Sequence, residues 1–395
     1  MATQAQSAPL IQGVQSPDVI VNPQLFYAAT RRQRYAMRSL TSWSGIGSSD
    51  SVQLRQNGIV AGLEVRVKGT LTFGGTIGTT TMGYNWPANL VKAFRLSANG
   101  QSNLISANGL MVRAAEFVDN PKIQDQGRSV SFGGTTGYTD GSLKLSCDNW
   151  GTGATDNLFP GTNVTTAEAK TFDITYFVPV AAHQVSLIGS VYAQSSATNL
   201  NLELQWATQT EIVAALGASA TLAYTSVQYS VVGIVYTIPN VNGNYVIPDL
   251  SQFHQIAQFR QSGLGQGTNQ ILLPGTGVGR NLLRVYWQAF SSSAPLAIND
   301  TNYSTVGWGY GGNQIPEQYD TGAPLAAMNE RLTGVHLGKL WGIGLWDFAS
   351  ENALRDVVDE STTADLRILV GLVSAPTSGY AEVCQETLFA APVGA

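Results

Sequence analysis

The run Gly62-Leu63-Glu64-Val65-Arg66-Val67-Lys68-Gly69-Thr70-Leu71-Thr72-Phe73 leaves the chain little choice of local structure. Leu63, Val65, Val67, Leu71 and Phe73 share one parity, and Glu64, Arg66, Lys68, Thr70 and Thr72 the other. Side chains of an extended strand alternate between its faces, so this spacing packs one face on a core and wets the other. The pattern predicts a half-buried strand that turns at Gly74-Gly75. It recurs over Thr171–Val178, stopped by Pro179, and at Leu200, Leu202, Leu204 and Trp206. It returns at Leu283, Val285, Trp287 and Ala289, and at Leu366, Ile368 and Val370. Repeated strands separated by turn signals predict an all-β sandwich architecture.

Composition agrees. Of 395 residues, 42 are Gly, and only 12% are charged against a usual ~25%. Gly and Asn supply the positive φ that tight turns between strands need. The length suits two or three domains, large enough to bury cores without disulfides. Cys147 and Cys384 make no disulfide framework. The N-terminus lacks the basic and apolar regions of a signal peptide, and no apolar run reaches the roughly 18 residues of a membrane helix.

The net charge of −5 is uneven. Residues 1–40 carry Arg31, Arg32, Arg34 and Arg38 against Asp18, a balance of +3, whereas residues 246–395 carry 7 basic and 13 acidic groups. An acidic body with a short basic arm does not fit a protein that coats nucleic acid over its main surface, and no sequence-specific nucleic-acid binding is expected.

Helical signals are few. Asn22 can cap a helix and Pro23 suits its first position. A short helix is expected there, with the arginines in its last turns, where they favour the helix dipole. Residues 41–53 read as a linker. Leu110–Val118 and Pro324–Leu332 are helix candidates at comparable places in the two halves, a hint of duplication. Leu250–Gln261 is a third candidate. The charge-free stretch from Ile212 to Pro248 reads as a buried strand pair.

Catalytic chemistry is absent from the pattern. His183, His254 and His336 stand alone, and no metalloprotease, Cys-x-x-Cys or Gly-x-Ser-x-Gly motif occurs. No catalytic, cofactor or metal residue is expected. Gly263–Gly267 and Gly275–Arg280 resemble phosphate loops, but the segment after the second alternates as a strand rather than opening a helix. Asp300–Ser304 begins like a calcium loop yet lacks its Gly and terminal Glu. Asp347, Glu351, Asp356, Asp359, Glu360 and Asp365 read as a solvated acidic face. Trp308, Tyr310 and Tyr319 leave a second reading open, a carbohydrate-binding β-sandwich such as a phage spike or lectin. Packing at a subunit interface would use the same residues.

The order of segments resembles a known family. Asn57–Val67 resembles the first strand of major capsid proteins of tectivirus-type phages, which are tailless and enclose an internal membrane. Pro87–Val91, a following strand and Leu110–Val118 come in the family's order. Ile174–Val180 and Leu200–Trp206 follow, and Tyr245–Ser251 is similar to the crossing into a second roll. Met328–Leu332 and Arg367–Gly371 match weakly in the right places. The resemblance covers most of residues 22–385 and is strongest over 57–251.

That resemblance implies an all-β chain of two tandem eight-stranded viral jelly rolls with a few short helices. An arm with a short basic helix is expected over residues 1–44, a first roll over 45–245 and a second over 246–395. It implies a homotrimer of pseudo-hexagonal outline, tiling an icosahedral shell over an internal membrane and double-stranded DNA. Minor capsid and vertex proteins would be partners, and the virion the location, after synthesis in the host cytoplasm. The arm, through Arg31, Arg32, Arg34 and Arg38, would touch lipid or neighbouring subunits, while the loops at 119–170 and 291–322 would face outward.

Overall fold

The computed structural model describes residues 19–98, 101–119, 163–164, 166–194, 199–275, 280–311, 314–333, 337–349, 357–359 and 365–390. Among these, sixteen strands have five residues or more, and eight lie on each side of residue 250. The first eight are β1 (Arg32–Ser42), β2 (Ser49–Gln53), β3 (Ile59–Thr76), β4 (Val91–Ala98), β5 (Gln101–Ala107), β6 (Ala169–Pro179), β7 (Leu200–Trp206) and β8 (Ser219–Tyr236). The second eight are β9 (Gln252–Leu264), β10 (Gly267–Leu272), β11 (Arg280–Ser291), β12 (Tyr303–Tyr310), β13 (Gln314–Tyr319), β14 (Ile343–Asp347), β15 (Arg367–Leu372) and β16 (Gly379–Ala390).

Strand order is the same in both halves. The first half stacks a sheet β1-β8-β3-β6 on a sheet β5-β4-β7-β2. The second stacks β9-β16-β11-β14 on β13-β12-β15-β10. Numbered within each half, both read first-eighth-third-sixth over fifth-fourth-seventh-second. This is a double jelly roll. The helices repeat too: α2 (Gly109–Asp119) follows the fifth strand of the first roll and α4 (Ala323–Thr333) that of the second, while the short α3 (Gln209–Ile212) follows β7. The duplication hinted at by two helical segments is therefore present in the topology.

The alternation read at Leu63–Phe73 holds. Val65, Val67 and Leu71 are fully buried and Phe73 nearly so, in a core shared with Ile174 on β6, Leu202 and Leu204 on β7 and Val231 on β8. Glu64 pairs with Arg34 at 2.6 Å on the outer face. A separate cluster built on Val285, Trp287, Ile368, Val370 and Val383 fills the second roll.

Several expectations are corrected. The basic N-terminal helix does not form as expected: α1 (Pro23–Ala29) ends before the arginines, with Asn22 capping it through Leu25 N–H at 3.0 Å. Arg32, Arg34 and Arg38 instead lie on β1, paired with β8 from Arg32↔Tyr236 to Ser42↔Gln228. Tyr35 and Met37 share one parity and pack against the first roll's core, Arg32, Arg34 and Arg38 share the other, and the edge of β8 captures the strand. Residues 41–53 are no linker, since they complete β1 and form β2. Leu250–Gln261 is strand β9, where pairing with β16 along its length overrides local helix propensity. Ile212–Pro248 holds one 18-residue strand and a short hairpin rather than a buried pair. The segment 291–322 contains β12 and β13 and is not one outward loop. The 119–170 loop lies mostly outside the described residues, as do Cys147 and His336.

Candidate functional site

A chain of this architecture works through its joints, and the first is internal. β5 and β9 pair in parallel, Ile105 with Ile256 and Ser106 with Ala257, so one sheet of each roll joins into a continuous sheet. Only two residue pairs make that ladder, and packing and polar contacts carry the rest. The first roll's core also reaches across the seam: Ile256, Tyr286, Ile343, Leu345 and Cys384 of the second half bury in its cluster.

His254 is the strut of this seam. Its Nδ1 lies 3.2 Å from Pro179 O and 3.3 Å from Val180 O, at the end of β6 in the first roll. Its Nε2 lies 3.1 Å from Glu386 Oε1 on β16. Arg284 donates through one Nη to both oxygens of Glu386 at 3.2 Å and through Nε to Asp347 at 3.1 Å. Tyr286 OH donates to Glu386 Oε2 at 3.3 Å. All four ionisable side chains are buried, none more than 3% exposed. Burial alone would raise the Glu386 carboxyl, but the Arg284 charge and then the His254 contacts hold it well below the usual carboxylate range. Burial keeps Asp347 above its ordinary value despite Arg284. No substrate reaches a His–Glu pair this deeply covered, so the cluster is structural. Gly189 closes it: its φ is +78°, and a Cβ there would sit 2.6 Å from His254 Cβ.

Beside the seam lies a cleft of about 480 Å³, lined by both rolls. Tyr380 stacks on Phe290 with ring centroids 4.5 Å apart, and the Arg260 guanidinium sits 3.5 Å above the Tyr380 ring. Glu382 accepts from Gln258 Nε2 at 3.0 Å and Asn108 Nδ2 at 3.2 Å, and burial pushes its carboxyl up. Lys92 pairs with Glu211 at 2.8 Å. Charges of both signs are largely spent on partners within the chain.

The second candidate surface is the end of the first roll that carries α1. Phe26 is fully buried among Ile59, Ala61, Leu187 and Val246, anchoring the segment. Val21, Leu25, Tyr27 and Val185 remain exposed, Val185 at 76%. Tyr27 OH donates to Ser186 O, which ties the helix to that loop. Phe26→Ala should free this segment, since truncating a buried Phe costs about 3–5 kcal/mol. Limited proteolysis should then cut ahead of β1 while the rolls stay intact.

Other sequence candidates find ordinary places. The Asp300 turn caps α4, with Asp300 Oδ1 accepting from Ala323 N at 3.0 Å. Among the described residues no group of three acidic, His or Cys side chains could hold a metal. Trp308 packs against Phe348 and Tyr310, and Tyr319 stacks on Trp346, so these aromatics sit on strands and hold the second roll together. Asp347 is buried in the seam rather than on a solvated face, whereas Asp359 and Asp365 are exposed. Glu351, Asp356 and Glu360 lie outside the described residues. Cys384 is a buried free thiol whose ionisation burial suppresses. Among the described residues no helix is long and apolar enough to cross a membrane. The ion cluster was missed in the sequence because Arg284 and Glu386 stand 102 residues apart. The one signal was three charged groups, Arg284, Asp347 and Glu386, inside or beside otherwise apolar strands.

Residues 13–238 match the family model described as the P3 major capsid protein N-terminal region. No curated protein sequence matches the chain. Among solved structures, the fold is shared with the major capsid protein of Sulfolobus turreted icosahedral virus: TM-score 0.63, 12% identity, 91% of this chain and 97% of that one. A capsid chain of the virus PBCV-1 superposes with TM-score 0.58 at 12% identity, over 90% of this chain and 93% of that one. The Faustovirus major capsid protein gives 0.53 at 9% identity, over 91% and 90%.

Proposed function

The chain belongs to the family of P3-type phage major capsid proteins, and from that premise we propose that it forms homotrimers which tile an icosahedral shell around an internal membrane and double-stranded DNA. Its role is structural, as part of the virion, and not enzymatic. The observation that carries the trimer is the repeated strand order: one chain supplies two equivalent rolls, so three chains supply six equivalent walls. We take 45–245 and 246–395 as the two building units, with β1 added to the first.

The end carrying α1 is the part we assign to the membrane side. Val21, Leu25, Tyr27 and Val185 offer exposed apolar groups there. Arg31 and Arg32 stand at the start of β1, where each basic group near anionic lipid contributes about 1 kcal/mol. Arg34 and Arg38 sit further along a strand that rises roughly 3.3 Å per residue, so all four arginines do not meet one headgroup plane. Minor capsid and vertex proteins would meet the shell elsewhere.

Light scattering on purified protein should return three times 41.9 kDa or a multiple. A stable monomer at micromolar concentration would overturn the trimer. Binding to anionic vesicles should fall as salt rises, and fall further in Arg31→Ala/Arg32→Ala. Salt-independent binding, or none, would remove the membrane assignment.

A further inference from the structure

The seam between the rolls uses two defined places in the shared strand order. β5 is the fifth strand of the first roll and β9 the first strand of the second, and each edges its own roll. Their counterparts are β1, first in the first roll, and β13, fifth in the second. Among the described residues each ends its sheet with no strand beyond it, and each is exposed along most of its length. We propose that β1 of one copy docks against β13 and the start of α4 of a second copy, repeating between subunits the joint that β9 makes with β5 and the start of α2 within one. The proposal rests on the trimer reading above and names the surfaces that build it.

The equivalence can be followed residue by residue. β9 turns His254, Ile256 and Gln258 onto the first roll: His254 meets the end of β6, and Gln258 Oε1 accepts from Asn108 N, just before α2, at 2.7 Å. Counted from the start of each strand, the counterparts on β1 are Arg34, Ala36 and Arg38. All three are exposed. What they would meet on the second copy is the end of β13 and the turn into α4, which carry the half-buried Glu317 and the exposed Asp320, with Asp300 beside them where it caps α4. Arginines thus face carboxylates, drawn from the one basic stretch and the acidic half of the chain. Leu40 on β1 and Ile315 on β13 are each 42% exposed and add apolar area to the same joint. Arg34 already touches Glu64, and that pair stays on the docking face.

Pro316 removes one donor from the free edge of β13, so a long ladder is blocked there. The seam within the chain needs only two residue pairs, so packing and charge can carry the joint between copies as well. Each chain offers one free first-strand edge and one free fifth-strand edge. A contact of this head-to-tail kind leaves no edge over only when it closes into a ring.

The test uses the full chain. Glu317→Arg/Asp320→Arg should raise the protein concentration at which trimers half-dissociate by roughly ten-fold or more, because like charges then face each other. Adding Arg34→Glu/Arg38→Glu should restore it. Unchanged trimers in the first variant, or no restoration in the second, would overturn the joint while the wild-type arm still reports trimers. A monomeric wild type would overturn the trimer and the joint together. Ala36→Cys/Gln318→Cys with a short bismaleimide provides a readout that needs no charge change. Subunit-to-subunit cross-links beyond those of each single variant support the joint, and their absence in a trimeric sample overturns it.

Discussion

Val65→Asp abolishes folding of the first roll. Val65 is fully buried on the 18-residue strand β3, between Tyr176 of β6 and Val231 of β8. An aspartate there has no cation on its face of the strand, since the neighbouring positions on that face are Leu63 and Val67. Burying an unpaired carboxylate exceeds the 5–15 kcal/mol stability of a typical domain unless the group protonates or the core opens. Expression in the insoluble fraction, or loss of the cooperative thermal transition, is the expected result. Glu64→Gln, one residue away, removes only the partly exposed pair with Arg34, which is worth about 0–1 kcal/mol. Comparable solubility of Val65→Asp and Glu64→Gln would mean that the two faces are assigned the wrong way round.

Arg284→Met is the second large effect, and it acts on the seam instead of a core. It leaves Glu386 and Asp347 buried without their shared cation, and breaking a buried pair by removing one partner costs about 3–5 kcal/mol. A melting point within a few degrees of wild type would contradict it. The wild-type cluster also has a pH signature. The Glu386 carboxyl is lowered in the folded chain, so its contribution is complete above its unfolded value of about 4.3 and is lost as pH falls through the lowered one. Asp347 is raised, so it acts in the opposite sense, contributing at low pH and losing that contribution as pH rises through its folded value. In Arg284→Met the protection of Glu386 should vanish, and stability should increase on acidification, because both carboxyls are then better buried neutral. Chemical denaturation of both proteins from neutral pH down to about 2 separates the two slopes.

Much of this molecule was legible as period-two alternation. Leu63–Phe73, Thr171–Val178 and Leu200–Trp206 became strands with the expected face buried, while Leu283–Ala289 became a strand buried on both faces. Leu110–Val118 and Pro324–Leu332 became α2 and α4. These segments decide their own form because burial of one face follows directly from side-chain parity. The failures share one cause. Leu250–Gln261 carries a mixed pattern that suits a helix locally, yet β9 pairs with β16 over nearly its whole length. Arg31–Arg38 looked like the end of a helix, yet β8 offered an edge more than 190 residues downstream. Neither partner is visible from within the segment it captures.

The sequence by itself determined the fold class, the strand faces and the family, because these depend on spacing and order along the chain. Only the tertiary structure decided that both rolls share one strand order, that β5 and β9 fuse their sheets, and that His254, Arg284, Asp347 and Glu386 meet in one buried cluster. It also decided that β1 and β13 each end a sheet, with no strand beyond either among the described residues. Those outcomes depend on which distant strands lie side by side, and the free energy of that pairing belongs to two segments at once. No periodicity in either segment alone encodes it.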